Sequence, residues 1–118
     1  MTEILDRPIM KDEQPQLSDA MAKSATEAAS YLRALSNPSR LLLLCQLVDR
    51  EKSVSELEEA LGLGQAYVSQ QLARLRSEGL VSATRDGRIV RYSLADPRVR
   101  PVLEVLYEQF CTTPDGGI

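Results

Sequence analysis

The fold is decided by residues 53–94, which read SVSELEEALGLGQAYVSQQLARLRSEGLVSATRDGRIVRYSL. The first four letters form a capping box, in which a serine and a glutamate side chain satisfy backbone amides at the start of a helix. This helix is predicted to end near Leu61, because Gly62 supplies the turn that follows. A second helix is predicted over about 65–77, and its buried stripe is Val68, Leu72 and Leu75.

Two β-prone runs come next, at 80–85 and 88–94, and Asp86-Gly87 joins them. An Asp-Gly pair between such runs predicts a hairpin with a type I′ turn, which needs positive φ at both central residues. Two helices joined by a short turn and followed by a hairpin predict a winged helix-turn-helix. One face of the hairpin is predicted to face the core and to carry Val81, Ala83, Val90, Tyr92 and Leu94.

Three further helices are predicted around this unit, which makes the fold mainly α, with about five helices and a small β-hairpin wing. The second helix of the chain spans about 38–49 after an Asn-Pro start and is apolar on nearly all sides, which predicts a position in the middle of the core. The first helix has a near-heptad stripe at Met21, Ala25, Ala28, Leu32 and Leu35. The last helix runs from Asp96-Pro97 to about Cys111, with apolar residues at Val99, Val102, Leu103, Leu106 and Phe110.

The predicted organisation is one DNA-binding and dimerisation domain with two short extensions. A flexible arm is expected over 1–16, the winged helix-turn-helix domain over 17–111 and a tail over 112–118. The first and last helices carry apolar stripes with more apolar surface than a chain of this size can bury by itself. We therefore predict that two copies pack together as a homodimer.

Composition narrows the function classes. The chain has 118 residues, 43% of them apolar, with two cysteines and no histidine. Without histidine there is no His-based acid–base catalysis, no His metal ligand and no Ser-His or Cys-His pair. The longest apolar run, Leu41 to Cys45, is far shorter than the roughly 20 residues of a membrane span. We expect a cytoplasmic protein with reduced thiols that is not an enzyme, holds no cofactor or metal and does not partner with a membrane.

Charge is concentrated in one part of an acidic chain. The net charge is −3, yet residues 65–92 carry five arginines against one aspartate and one glutamate, which makes +3. Such a local basic stretch predicts binding of a polyanion. From charge alone, a solvated arginine-rich face is the alternative.

The second helix of the helix-turn-helix has a polar outward face suited to a major groove. Glutamine pairs with adenine, arginine with guanine or phosphate, and serine with either. A merely solvated helix would be richer in Glu and Lys, so the composition favours DNA. The predicted DNA-contacting residues of this helix are Ala66, Tyr67, Ser69, Gln70, Gln71 and Arg74.

Three arginines of the hairpin extend this surface. Arg85 and Arg88 flank the tip, and Arg91 lies on the outward face with Thr84 and Ile89. We predict that these arginines contact the phosphate backbone or an adjacent minor groove. Protection of an exposed strand edge is the alternative role for Arg91.

Four motifs make the family recognisable. The chain resembles the ArsR family of bacterial repressors in LSNPSR at 35–40, SVSEL at 53–57, VSQQL at 68–72 and LRSEGLV at 75–81. The resemblance extends from about residue 32 to 94. It implies a symmetric dimer, built largely from the first and last helices, that binds a double-stranded inverted-repeat operator and leaves it when an inducer binds.

The family's metal inducers do not suit this sequence. The arsenite site of the family places a Cys-x-Cys pair where this chain has Glu58 and Ala60, and its zinc sites on the last helix use histidine. Metal sensing by those routes is excluded. A soft-metal site made of two thiolates stays open.

Two cysteines remain, Cys45 in the second helix and Cys111 at the end of the last. From the residues alone they are either independent buried thiols or a reactive pair. Segments 43–48, 65–76 and 107–111 resemble the SqrR/BigR-type branch of the family, which senses persulfides with one cysteine in each of these helices. The resemblance implies that the two thiols, with pKa values raised by apolar surroundings, react with persulfide or polysulfide, close a sulfur bridge and release the operator. The alternatives are a response to general thiol oxidation, a constitutive DNA-binding module with inert cysteines and, least favoured, a thiol enzyme.

Overall fold

The structure is a computed structural model that describes residues 15–111. Its elements in chain order are α1 (Pro15–Leu35), α2 (Pro38–Asp49), β1 (Lys52–Ser53), α3 (Val54–Leu61), α4 (Gln65–Ser77), β2 (Val81–Asp86), β3 (Ile89–Leu94) and α5 (Val99–Phe110). Five helices with a small antiparallel sheet confirm the predicted winged helix-turn-helix. No helix in the described range is long and apolar enough to cross a membrane.

The chain divides into two compact units, one that ends at Arg33 and one that begins at Ala34. Most of the predicted arm and all of the predicted tail, at 1–14 and 112–118, lie outside the described residues. Helix α1 starts at Pro15, so the last two residues of the predicted arm are helical instead. A proline suits this position because it has no N–H to leave unbonded in the first turn.

The core of the second unit is made of leucine and valine from every helix after α1 and from the start of the wing. The predicted stripe of α4 is confirmed, because Val68, Leu72 and Leu75 are fully buried. The remaining fully or nearly fully buried apolar residues of this unit are Ala34, Leu35, Leu43, Leu44, Leu47, Leu57, Leu80, Val81, Val99 and Leu103. Helix α4 is therefore fixed by one face and leaves its opposite face to solvent.

The predicted helix starts at α2 and α3 are confirmed. The Asn37 side chain accepts a hydrogen bond from the backbone N–H of Arg40 at 3.0 Å, and Pro38 occupies the first position of α2. At α3 the capping box is complete, since Ser53 Oγ accepts from Glu56 N at 3.2 Å and Glu56 Oε1 accepts from Ser53 N at 2.9 Å. Gly62 ends α3 with a φ of +67°, a conformation that favours glycine.

The start of α5 differs from the prediction. The helix begins at Val99 rather than at Asp96-Pro97. Asp96 Oδ1 accepts the backbone N–H of Arg98 at 2.8 Å, and its carboxylate also binds the Arg98 guanidinium. Asp96 therefore closes a turn before the helix instead of capping its first residues.

The sheet has the order β1-β3-β2, with all pairs antiparallel. The pairing of Val81 with Leu94 and of Ala83 with Tyr92 confirms that the predicted residues share one face. That face is only partly in the core, since Val81 is buried and the other four residues are half-buried. The predicted turn is wrong by one residue: Asp86 pairs with Ile89, so Gly87 and Arg88 are the central residues. Only Gly87 has a positive φ, +66°, which excludes a type I′ turn and matches a hairpin with glycine at the first central position.

Strand β1 was not predicted, because two residues carry no periodic pattern. Lys52 pairs with Tyr92 and Ser53 pairs with Arg91, which makes β3 the central strand. Arg91 therefore does not lie on a sheet edge, and edge protection is wrong as an explanation for it.

Candidate functional site

The outward face of α4 carries the side chains predicted to contact DNA. Ala66, Tyr67, Ser69, Gln70 and Arg74 are all exposed, and Gln71 is half-buried. Because the buried stripe fixes the rotation of the helix, these side chains share one polar surface. Arg74 also lies 3.6 Å from the Glu78 carboxylate, an exposed i,i+4 pair of small energetic weight.

The beginning of α2 holds one edge of α4. The Tyr67 hydroxyl donates to Ser39 Oγ at 3.1 Å. The buried Arg40 guanidinium donates from Nη1 to Gln71 Oε1 at 2.9 Å and from Nε to the Ala34 carbonyl at 2.6 Å. Arg40 was not predicted as part of the site, because arginine is mostly exposed in proteins and its burial here depends on partners elsewhere in the chain.

The tip of the wing is basic and exposed. Arg85 and Arg88 both lie in solvent at the turn. Arg85 Nη1 makes only a long contact, 3.4 Å, to the Gly87 carbonyl. Both guanidinium groups are therefore accessible to a polyanion.

Arg91 is held differently from the tip arginines. Its Nη1 lies 3.9 Å from Glu56 Oε1, and Arg50 binds the other oxygen of Glu56 at 3.0 Å. The hydrogen bond from Arg50 and the backbone N–H of Ser53 lower the pKa of Glu56 to about 2. Glu56 thus stays ionised and partly offsets the charge of Arg91, whose contact with DNA remains a prediction.

The two cysteines lie on α2 and at the end of α5, as free thiols. The structure does not bring their sulfur atoms together. The expected central position of α2 in the core is only partly correct: Leu43, Leu44 and Leu47 are buried, whereas Leu42 and Cys45 are exposed. The other elements of this unit cover only one side of α2, so its apolar composition does not lead to burial on all sides.

Cys45 nevertheless touches an apolar wall. A cavity of about 210 Å³ between α2 and α5 is lined by Cys45, Val48, Arg100, Leu103, Glu104 and Tyr107. Partial removal from solvent, and then repulsion from Cys111, raise the pKa of the Cys45 thiol. The predicted rise is confirmed for this cysteine.

Cys111 lies on the same face of α5 as three residues of this cavity. Arg100, Glu104, Tyr107 and Cys111 follow the spacing i, i+4, i+7 and i+11, which is one face of a helix. Cys111 is one turn beyond Tyr107, and its backbone N–H donates to the Tyr107 carbonyl at 2.8 Å. Among the described residues, no group of three or more Cys, Asp or Glu side chains is arranged to hold a metal ion.

Comparison with known proteins assigns the family. The profile of the bacterial regulatory proteins of the arsR family matches residues 37–83. A biofilm growth-associated repressor of Xylella fastidiosa strain Temecula1 is 44% identical over 92 residues, which cover 78% of this chain and 81% of the relative. The chain belongs to the ArsR family. As an ArsR protein it is a DNA-binding transcriptional regulator, and regulators of this family bind operator DNA and are typically dimers.

Other ArsR proteins match over much of their length. A biofilm growth-associated repressor of Agrobacterium fabrum is 41% identical over 112 residues. This alignment covers 95% of this chain and 94% of the relative. The crystal structure of the transcriptional repressor BigR from Xylella fastidiosa superposes with a TM-score of 0.77 at 41% identity, over 80% of this chain and 97% of that one. Reduced HlyU from Vibrio cholerae gives a TM-score of 0.73 at 39% identity, over 79% and 98%.

Proposed function

We propose that this ArsR protein is a cytoplasmic, homodimeric repressor that leaves its operator when Cys45 and Cys111 react with persulfide or polysulfide. The observation that carries the proposal is the placement of one thiol in the wall of the α2–α5 cavity and the other on the cavity-lining face of α5. The names of the relatives support it: BigR is called a repressor, and HlyU has been described in a reduced form. The relatives are regulators rather than enzymes.

The sulfur chemistry is balanced without a further oxidant. The Cys45 thiolate attacks the outer sulfur of a persulfide RSSH, which forms Cys45–S–SH and releases the thiol RSH. Cys111 reacts in the same way. The outer sulfur of the Cys111 perthiolate then attacks Cys45 Sγ. The bond from Sγ to the outer sulfur of Cys45 breaks and hydrosulfide leaves, so a trisulfide joins α2 and α5. The sulfane sulfur is the oxidant, and hydrosulfide is its reduced product.

A bridge between α2 and α5 reaches α4 through contacts already present. Cys45 follows Arg40 by five residues on α2, and Arg40 binds Gln71 of α4. Tyr67 of α4 is bonded to Ser39, also at the start of α2. A shift of α2 therefore moves the recognition helix. In a dimer, half-sites one helical turn apart, about 34 Å, tolerate only small changes in the spacing of two such helices.

The proposal is tested by mass spectrometry of the purified protein after polysulfide, glutathione disulfide or peroxide, paired with operator binding. We expect polysulfide to add one or more sulfur atoms with loss of two hydrogens, and to release DNA. Release by peroxide with a plain disulfide would instead indicate general thiol oxidation. Retained DNA affinity after every treatment would indicate a constitutive DNA-binding module.

We expect the rate of reaction with an organic polysulfide RSSSR, which has no ionisable S–H, to increase with pH above neutrality. The pKa of Cys45 is raised, so only a small fraction of the thiol is ionised near pH 7, and the thiolate is the nucleophile. Stopped-flow measurement of bridge formation from about pH 6 to about pH 10, a window that spans the ordinary pKa of a thiol, checks this. Cys111→Ser removes the repulsion and should move the profile for Cys45 persulfidation to lower pH; an unchanged profile contradicts the assigned cause.

If α4 contacts base edges and the wing contacts phosphate, variants of the two elements should lose different properties of DNA binding. Gln70→Ala should relax base preference at a cost of about 1–3 kcal/mol if the amide contacts a base edge in two places. Arg88→Ala should weaken binding to all sequences alike and reduce the dependence on salt, because its contact is with phosphate. Fluorescence anisotropy with matched and mismatched operators at two salt concentrations separates these outcomes. The same sequence profile for both variants would contradict the division.

A further inference from the structure

The side-chain amide of Gln71 is held in one orientation by Arg40, whose guanidinium can donate hydrogen bonds but cannot accept them. A guanidinium carries only N–H donors, so the atom of Gln71 that faces Arg40 must be the amide oxygen. The Arg40 Nη1 to Gln71 Oε1 distance is 2.9 Å, and the guanidinium is buried and also bound to the Ala34 carbonyl. The Gln71 amide nitrogen, with its two N–H donors, therefore points away from Arg40.

The neighbouring glutamine is in a different situation. The Gln70 side chain is exposed and has no hydrogen bond to any residue between 15 and 111. Gln71 is half-buried and shares an edge of α4 with Tyr67. A free glutamine reads adenine with both its oxygen and its nitrogen. The bond with Arg40 turns the Gln71 oxygen toward α2, so the outward side of the amide carries its two N–H donors.

We propose that Gln71 is a specificity-determining residue that reads only hydrogen-bond acceptors of a base edge, and that Arg40 is the positioning residue that imposes this. Guanine N7 and O6, thymine O4 and adenine N7 are the acceptors in a major groove, whereas cytosine offers only its N4 donor. Adenine needs the glutamine oxygen as well as the nitrogen for a two-point contact. The inference rests on DNA binding by α4, and it is independent of the thiol switch because it concerns the reduced protein.

The first test is Gln71→Glu, with Gln70→Glu as its matched control. A carboxylate keeps the contact with Arg40 but presents an acceptor where the amide nitrogen was. Selection of sites from randomised double-stranded DNA, followed by titration of each base, should show one position per half-site that changes from guanine or thymine to cytosine or adenine. We expect a change in preference of about tenfold, the effect of one hydrogen bond gained or lost.

The control separates base reading from simple repulsion by the added charge. Gln70→Glu should alter a different position. A uniform loss across all sequences with Gln71→Glu, or the same altered position for both variants, would overturn the proposal. Failure of DNA binding by α4 would look different, because Gln70→Ala would then also leave base preference and affinity unchanged.

The second test concerns Arg40. Arg40→Met releases the amide of Gln71, so a two-point contact with adenine becomes possible. The preference for adenine should then rise at the position that Gln71→Glu identifies. Arg40→Lys retains a donor and should preserve the original preference. The Gln71 side-chain amide signals in a ¹⁵N–¹H spectrum should shift in Arg40→Met and much less in Arg40→Lys. A folded Arg40→Met protein with unchanged preference would overturn the positioning role. If Arg40→Met does not fold, Gln71→Glu still decides whether Gln71 acts as a donor only.

Discussion

Replacing either Cys45 or Cys111 with serine is expected to abolish release of the operator by persulfide. One thiol cannot close a bridge between α2 and α5, so persulfidation of the remaining cysteine leaves the two helices unlinked. The parent should lose affinity by about 5- to 150-fold on treatment, the usual range of coupling between two sites. Each variant should keep its affinity. Operator titrations before and after polysulfide check this.

The basal affinity of both variants should match that of the parent, because neither cysteine lies on the outward face of α4 or at the tip of the wing. The double variant should behave like either single one. Val48→Ser is the matched control, since Val48 lines the same cavity without a thiol, and this variant should still release DNA. A single cysteine variant that dissociates like the parent would show that the two-cysteine bridge is not the switch.

The parts of the fold that follow from local pattern could be read from the sequence. The stripe of α4, the capping box of α3 and the inward face of the hairpin all depend on side chains a few residues apart. The hairpin turn was misplaced by one residue, because Asp-Gly is compatible with either of two adjacent registers. Strand β1 depends on pairing with β3, which is distant in sequence, and two residues give no period to detect.

The candidate site could be predicted only in part, because some of its contacts join residues that are distant in sequence. The exposed side chains of α4 follow from its periodicity, but the bond between Arg40 and Gln71 joins residues 31 apart in the chain. The apolar composition of α2 suggested that Cys45 is buried, because composition does not say how many sides of a helix are covered. The exposed position of Cys45 beside a cavity depends on where α5 packs.

The exposed apolar side chains of α5 lead to the second prediction, which concerns the dimer interface. Phe110 is 79% exposed and Val105 55% exposed, although α5 presents Val99 and Leu103 to the core. Phe110 lies on the same side of the helix as Leu103, beyond the end of the core that covers it. In α1, considered by itself, Met21 and Leu32 are also exposed. Large apolar side chains left in solvent on two helices favour burial against a second copy of the chain.

Phe110→Glu is therefore expected to produce a folded monomer that binds an inverted repeat poorly. The change removes an exposed aromatic side chain and adds a charge where a partner would pack, so the core of the protomer should be unaffected. Two linked half-site contacts become one, which should cost about 100-fold or more in affinity for an operator whose half-site centres are about 10 bp apart. Multi-angle light scattering and operator titration measure both effects. Gln109→Glu adds the same charge at the adjacent exposed position and should remain dimeric, because no apolar contact is lost. A Phe110→Glu protein that stays dimeric and keeps its operator affinity would show that the end of α5 does not lie in the dimer interface.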